Sequence, residues 1–248
     1  MPNKRVKYEE APLVEVICQL RFPTILSINA NEPVELQELI RQEFPLYNCR
    51  NEKKSEVLQN QEVRVSSNRV YEFIAASTRT KVTVTSSFIA FSTLEYNVWE
   101  KFREVILSVL TKFESVYRVP FYTRTGLRYK DIITKGVYGL SDKKWSELIK
   151  PNVIGIAAEI EDDRMMGFRL DTEYKQTDNT YTHNMFSFVY HNGLPELSLL
   201  LDCDYYYKDI HDGAAVPALI DTLHSHSSNF ISNSITKLLE EAMQPVEI

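Results

Sequence analysis

The stretch PFYTRTGLRYKDII, residues 120–133, lies at the midpoint of the 248-residue chain and alternates in the manner of a β-strand. One predicted face carries Thr123, Thr125, Leu127, Tyr129 and Asp131. The other carries three cations around a glycine: Tyr122, Arg124, Gly126, Arg128 and Lys130. Glycine inside a strand often marks a bulge or a close backbone approach. The cationic face is therefore either an anion-binding patch, since arginine forks suit carboxylates and phosphates, or a sheet surface whose cations pair with acidic neighbours.

Composition predicts an ordinary globular protein of one large domain or two small ones. The formal net charge of −6 argues against a non-specific nucleic-acid or membrane-surface binder, although it leaves room for a local basic patch. Three widely spaced cysteines without a CxxC pair predict reduced thiols, not a disulfide framework or a zinc site. The N-terminus is too charged for a signal peptide and no apolar run approaches about 18 residues, so we expect a cytoplasmic protein without a membrane segment.

Periodicity predicts the same order of elements on both sides of the midpoint: a strand, a helix, three or four strands and a long helix. The first half has predicted strands at 13–22, 70–77, 81–85 and 88–94, a weak strand at 56–65, a helix at 33–44 and a long helix capped by an Asn97–Glu100 capping box. The second half has predicted strands at 122–133, 156–160, 166–174, 184–190 and 196–207, a short helix at 142–149 and a long helix at 217–243.

This order predicts an α+β fold built from a duplicated unit, with antiparallel sheet packed on two long helices. The predicted halves are residues 1–119 and 120–248, forming one compact pseudo-duplicated domain. The arrangement is similar to helix-grip and TATA-binding-protein-like folds. The sequence leaves open whether the halves share one sheet.

Four stretches carry a resemblance to a known family. They are APLVEVICQLRFP (11–23), LEYNVWEKF (94–102), RTGLRYKDI (124–132) and LHSHSSNFISNSIT (223–236). As a set they resemble a sporadically distributed, functionally uncharacterised family of bacterial proteins of about this length. The residues that match its pattern are Arg124, Gly126, Leu127, Arg128, Tyr129, His224, Phe230, Ile235 and Thr236. Lys130 and Asp131 depart from it, because they stand where the family has Asn.

The family resemblance implies no established activity. Its patchy distribution is similar to that of mobile-element and antiviral-defence genes, which implies an accessory role beside another protein.

The clearest group of candidate site residues lies in LLLDCDYYY, residues 199–207, where Asp202, Asp204 and Tyr206 share one strand face. Paired carboxylates could bind Mg²⁺ or serve acid–base chemistry. We prefer a pairing of these aspartates with Arg124 and Arg128, because opposite charges on neighbouring strands stabilise a sheet. Tyr206 is a residue type enriched at protein interfaces, and equally a type that fills cores.

Other reactive side chains fall short of a recognisable site. Asp221 and His224 have helical i, i+3 spacing, but zinc uses three or four ligands. Cys18 and Cys203 lie on apolar strand faces and are predicted core residues. The sequence contains no nucleophile elbow, so no catalytic residue, cofactor or metal is assigned and catalytic activity stays open.

Two functional hypotheses of different class follow, and a hydrolase using Asp202, Asp204 and a histidine is a third. The first is a non-enzymatic accessory protein of a bacterial defence or toxin-control system, which binds a protein partner through Tyr206, Asp202 and Asp204 and could also form a homodimer. The alternative is a sensor that binds an anionic small ligand or nucleotide in a sheet–helix cleft. Its ligand-binding residues would be Arg21, Arg124, Arg128 and Lys130.

Overall fold

The structure, a computed structural model, describes residues 6–57, 63–191, 193 and 196–247, with side chains for all of these except 53–57 and 63–66. In these ranges the chain is α+β, as predicted. Its strands are β1 (Val6–Tyr8), β2 (Leu13–Arg21), β3 (Leu46–Val57), β4 (Val63–Ile74), β5 (Thr80–Val84), β6 (Phe88–Thr93), β7 (Arg124–Thr134), β8 (Arg169–Lys175), β9 (Tyr181–Tyr190), β10 (Leu197–Tyr207) and β11 (Pro245–Glu247). Its α-helices are α1 (Leu26–Ala30), α2 (Val34–Ile40), α3 (Trp99–Tyr117), α4 (Trp145–Leu148), α5 (Pro151–Ile154), α6 (Val216–Ser234) and α7 (Lys237–Ala242).

Nine of these strands form one large antiparallel sheet in the order β3-β4-β5-β6-β2-β7-β10-β9-β8, and β1 pairs with β11 in a separate two-stranded sheet. The chain divides into two compact units that are each discontinuous in sequence. Unit 1 comprises Met1–Val16, Leu127–Tyr206 and Asp221–Ile248, and unit 2 comprises Ile17–Gly126 and Tyr207–Ile220. None of the helices in the described ranges is both long and apolar enough to cross a lipid bilayer.

Unit 2 contains the long amphipathic helix that the apolar spacing predicts. Helix α3 buries one stripe of side chains at i, i+3 and i+4 positions: Trp99, Phe102, Ile106, Val109, Leu110 and Phe113. The predicted capping box is wrong, because Val98 is the N-cap residue and makes no side-chain cap bond. Starting the helix one residue after Val98 places Trp99 and Phe102 on the buried face, with their ring centroids 6.5 Å apart.

Strand β3 of unit 2 was missed by the periodicity because residues 46–57 are polar on both faces. The backbone nevertheless pairs along its whole length with β4, from Leu46 opposite Ile74 to Val57 opposite Val63. The predicted weak strand at 56–65 falls on the end of this hairpin, and residues 58–62 lie outside the described residues.

In unit 1, the last helix is interrupted where the periodicity predicts one helix. The backbone N–H of Lys150 donates to Ser234 O at 2.8 Å, and that of Thr236 donates to Leu148 O at 2.9 Å. Ile235 forms an isolated bridge with Ile149. These bonds hold residues 235 and 236 outside the helix, with Thr236 extended, so α6 ends at Ser234 and α7 begins at Lys237.

The predicted strand at 156–160 is also wrong, since Gly155–Glu159 is a 3-10 helix. Gly155 has φ +48°, which favours glycine and turns the chain out of an extended path. The segment that follows is fixed at Asp162, whose carboxylate accepts from the buried Lys135 Nζ at 2.7 Å.

Candidate binding face of unit 1

One face of β10, β9 and β8 carries polar and aromatic side chains in three cross-strand rows, which we call the polar face. The rows are Asp202–Met185–Asp171, Asp204–His183–Glu173 and Tyr206–Tyr181–Lys175. Alternation along each strand puts these residues together, while Leu201, Phe186 and Leu170 occupy the opposite face. Most β9 members of the rows are half-buried and all β8 members are exposed.

Strand β7 adds Arg128 and Lys130 to the polar face. Arg128 forms a fork with Asp202, with Nε 2.5 Å from Oδ1 and Nη2 bonded to Oδ2. Lys130 Nζ lies 2.6 Å from Glu15 Oε2 on β2. The predicted pairing of Arg128 with an aspartate of β10 is confirmed, and the aspartate is Asp202.

Stacked tyrosines order the end of the polar face. The rings of Tyr181 and Tyr206 are 5.4 Å apart and inclined by only 14°. Lys175 Nζ lies 5.7 Å from the Tyr181 ring centroid, in cation–π range, and the Tyr206 hydroxyl donates to Glu173. Tyr206 is consequently buried, and Tyr181 offers the more accessible ring.

A histidine and an arginine share one carboxylate at the outer edge of the polar face. Asp171 lies 2.8 Å from His183 Nε2 and 3.2 Å from Arg169 Nη2. The bonds from His183 and then Arg169 hold the pKa of Asp171 below its ordinary value. Because these groups are exposed, we expect the pairing to orient side chains more than it stabilises the fold.

The structure places the other two predicted ligand-binding cations in unit 2. Arg21 is exposed and donates from Nε to Gln19 Oε1 at 2.9 Å. The guanidinium of Arg124 lies over Gly126, where a Cβ atom would be 2.8 Å from Arg124 Cζ. The sequence predicts a bulge or a close backbone approach at Gly126; the structure shows instead that the Arg124 side chain fills the space that a Cβ atom would need.

Tyr181 and His183 were missed because the predicted strand begins only at residue 184, and Met185 was not singled out within that strand. The observed turn is shorter, and β9 already begins at Tyr181. The available signal was the alternation of these three residues with Thr182, Asn184 and Phe186, obscured by the hydrophilic composition around them.

The opposite face of the unit 1 strands lies under α6. Tyr129 OH is 2.8 Å from His224 Nδ1, and the rings of Phe186 and Phe230 stack at 5.6 Å. Tyr129 and His224 come from two of the stretches that carry the family resemblance. Cys203 is buried on this face, as predicted for a core thiol.

Helix α6 also holds the β8–β9 turn. Asp178 Oδ2 lies 2.8 Å from His226 Nε2, while Oδ1 accepts from the Thr180 hydroxyl at 2.6 Å and backbone N–H at 3.0 Å. This arrangement resembles a His–Asp pair, but both carboxylate oxygens are occupied by turn and helix contacts. No group of three or more potential metal ligands occurs in the part of the chain that the structure describes.

Comparison with known proteins gives no relative from which a function could be transferred: no family model matches the chain, and no curated protein matches it.

Proposed function

We propose that the chain is a non-enzymatic binding protein that holds a protein partner on the polar face of unit 1. The observation that carries this proposal is the pre-ordered set of side chains on that face, centred on the Tyr181–Tyr206 stack and the Arg128–Asp202 fork. Tyrosine and arginine are enriched at protein interfaces. Side chains already fixed by neighbours lose less conformational entropy when a partner binds.

Charge on the polar face supports a protein partner over a nucleic acid. Cations and carboxylates alternate, and Arg128, Lys130 and Arg169 each contact a carboxylate. Binding to a phosphate backbone requires an excess of uncompensated cations. A mixed protein surface, with its own charges and hydroxyls, is the better complement.

The same pairing disfavours the alternative of an anionic metabolite or nucleotide. Such a ligand would have to displace Asp202 from Arg128 and Glu15 from Lys130. Displacing Asp202 would leave a buried carboxylate without its cation, which is strongly unfavourable.

The proposal includes two further features, one of the fold and one of the cellular setting. The first is a duplicated α+β unit of the helix-grip or TATA-binding-protein-like kind, which the order of elements supports. The second is the setting, a bacterial defence or toxin-control system, which rests on the family resemblance, and a cytoplasmic location, which rests on the sequence alone.

The test has two stages. Native mass spectrometry of the protein purified from its own host would identify a co-purifying polypeptide, and the purified pair would then be titrated to measure Kd. We expect Tyr181→Ala and Met185→Ala to weaken binding at least tenfold. Thr83→Ala, at a half-buried position on β5 of unit 2, is the matched control and should leave Kd unchanged.

Two outcomes would overturn the proposal. One is recovery of the bare chain, or a multiple of it, from the host. The other is equal Kd values for the purified partner with wild type and both polar-face variants, while circular dichroism shows that all are folded.

A further inference from the structure

Strand β8 is an edge of the nine-stranded sheet and, in the part of the chain that the structure describes, it pairs only with β9. One side of its backbone therefore has no strand beside it. An edge strand of this kind presents a row of backbone N–H and C=O groups to which another chain can add. The open side of β8 is consequently a candidate docking site for an extended polypeptide.

The register of β8 against β9 decides which backbone groups face the open side. Just before β8, Phe188 N–H donates to Phe168 O at 3.2 Å, and just after it, Gln176 N–H donates to Thr180 O at 2.8 Å. In an antiparallel ladder, hydrogen-bonded pairs alternate with non-bonded pairs. The even-numbered residues of β8 therefore direct their backbone groups to β9. The outward groups belong to the odd-numbered residues, which are Arg169, Asp171, Glu173 and Lys175.

The side chains of β8 differ between the two faces of the sheet. The four odd-numbered residues form the outermost row of the polar face, and all four are exposed. Their charges run plus, minus, minus, plus, an order that is the same from either end. The other face carries Leu170, Thr172 and Tyr174, and Tyr174 is 45% exposed. An added strand would have to match charges on one face and a mainly apolar edge on the other.

Contacts within unit 1 leave the charges of this row able to meet an added strand. Asp171 bonds to His183 and Arg169, but such exposed pairs are weak enough to rearrange. The Tyr206 hydroxyl donates to one oxygen of Glu173, and a carboxylate can accept several hydrogen bonds.

The charge order disfavours a second copy of β8 as the added strand. An antiparallel two-fold pairing over the full strand would place Arg169 opposite Lys175. It would also place Asp171 opposite Glu173, and like charges directly opposite each other destabilise a sheet. Shifting the pairing by one step in either direction places Asp171 or Glu173 opposite its own copy. The complementary order is minus, plus, plus, minus.

We propose that a segment of the protein partner adds to the sheet as an antiparallel strand along the open side of β8. Its charges follow the complementary order on the polar face, with apolar residues or threonine between them. This inference rests on the proposed function, because it names the form in which the partner meets the outermost row of the polar face. In strand addition, main-chain hydrogen bonds supply affinity and alternate side chains supply specificity. Charges that attract the partner and repel a second copy add selectivity.

Two capped synthetic peptides of identical composition test this inference on the full-length protein. The complementary peptide is Glu-Val-Lys-Thr-Lys-Val-Glu, and the inverted peptide is Lys-Val-Glu-Thr-Glu-Val-Lys. Titration into isotope-labelled protein, followed by NMR, gives Kd and the exchange rate of each backbone amide. The complementary peptide should bind at least about tenfold more tightly, because opposite charges replace like charges at every charged pair.

Amide exchange shows where the complementary peptide binds. In the free protein, the outward N–H groups of Asp171 and Glu173 should exchange faster than the inward N–H of Thr172. Saturation with the peptide should slow the two outward groups at least about tenfold. In antiparallel pairing the lysine N–H groups of the peptide point at β8 and its threonine N–H points away. N-methylation of both lysines should therefore abolish binding, whereas N-methylation of the threonine should preserve it.

A matched pair of protein variants tests the charge order. Lys175→Glu should weaken binding of the complementary peptide about threefold, because a glutamate of the peptide then faces a glutamate. Lys101→Glu makes the same change in net charge at an exposed position of α3 and should leave Kd unchanged.

The inference fails if the two peptides bind equally, if the amides of Asp171 and Glu173 are not slowed, or if threonine methylation is as harmful as lysine methylation. Failure of the proposed function is a different result, since no polypeptide would then be recovered from the host, whatever the peptides do. A recovered partner whose binding is weakened by Tyr181→Ala, but which leaves exchange at Asp171 and Glu173 unchanged, would support the polar face and exclude the added strand.

Discussion

At the scale of single residues, Asp202 depends on Arg128 more than Arg128 depends on Asp202. The Asp202 side chain is 6% exposed, whereas that of Arg128 is 41% exposed and can be solvated without its partner. We expect Arg128→Ala to lower the free energy of unfolding by about 2–3 kcal/mol, because it leaves a buried carboxylate without its fork. Urea denaturation at pH 7 would measure the change.

Two comparisons make the Arg128 result specific. Adding Asp202→Asn to Arg128→Ala should recover part of the loss, since the charge is then removed along with its partner. Arg41→Ala breaks the exposed Arg41–Glu38 pair of unit 2 and should cost no more than about 0.5 kcal/mol. Equal losses for Arg128→Ala and Arg41→Ala would contradict the burial argument.

Asp178 should give unit 1 an acid-sensitive contribution to stability. Burial raises the pKa of this carboxyl, but the hydroxyl and backbone N–H of Thr180, and then His226, outweigh burial and lower it overall. A depressed pKa stabilises the fold above the ordinary aspartate value of about 3.9, and this stability is lost as pH falls below it. Asp178→Asn should therefore flatten the wild-type loss of stability below about pH 4.

The measurement for Asp178 is the urea midpoint from pH 2.5 to 7 in both proteins. At pH 7 the variant should be less stable by about 1 kcal/mol, because its amide cannot accept all three bonds as well as a carboxylate does. Parallel pH curves for the two proteins would show that Asp178 does not titrate below its ordinary pKa.

At the scale of elements, α3 ends at a residue that glycine would suit better. Arg118, the C-cap residue, has φ 49° and ψ 53°, in the left-handed region. A side chain there costs about 1–2 kcal/mol, while glycine costs about 0.5–1 kcal/mol of chain entropy. Arg118→Gly should consequently stabilise the protein by roughly 0.5 kcal/mol, as measured by chemical denaturation.

The control for Arg118 lies in the same helix. Lys101→Gly replaces an exposed residue inside α3 and should destabilise the protein by about 1 kcal/mol, since glycine is a poor helix former. Arg118→Val should also destabilise, because a β-branched side chain is unsuited to positive φ. Destabilisation by Arg118→Gly would show that backbone conformation does not limit this end of α3.

Elements with one apolar face could be predicted from sequence, and those without one could not. Strand β2 was predicted because Val16, Cys18 and Leu20 recur at every second position. Helix α3 was predicted because apolar residues such as Phe102 and Ile106 recur at helical spacing. Strand β3 and the start of β9 have no such contrast. The break between α6 and α7 depends on backbone bonds to residues 148–150, which periodicity within the helix does not report.

The candidate site, like the fold, could be predicted only in part from the sequence. Alternation alone placed Asp202, Asp204 and Tyr206 on one face, and charge predicted that the aspartates pair with Arg124 and Arg128, of which Arg128 contacts Asp202. Tyr181 could be assigned to the site only from the register of β9 against β10, because this pairing of residues far apart in the sequence exists only in the folded chain.

At the scale of the whole molecule, the two ends of the described chain are neighbours. Val6 pairs with Glu247 and Tyr8 with Pro245, and the backbone N–H groups of Glu9 and Glu10 donate to Gln244 O and Met243 O. Paired residues in an antiparallel ladder lie about 5 Å apart, so a short Gly/Ser linker can join position 247 to position 6. The chain should therefore tolerate circular permutation.

The site of the new ends decides the outcome of that permutation. Opening the chain beside Thr78, in the turn between β4 and β5, interrupts few backbone bonds, and we expect a folded protein within about 2 kcal/mol of wild type. Opening it between Gly126 and Leu127 cuts β7, an interior strand of the nine-stranded sheet, and should abolish cooperative unfolding. Near-ultraviolet circular dichroism during urea unfolding distinguishes the two. If the permutant opened at Thr78 also failed to fold, the intact β4–β5 connection would be required for folding, and the order of connection would matter as much as the final contacts.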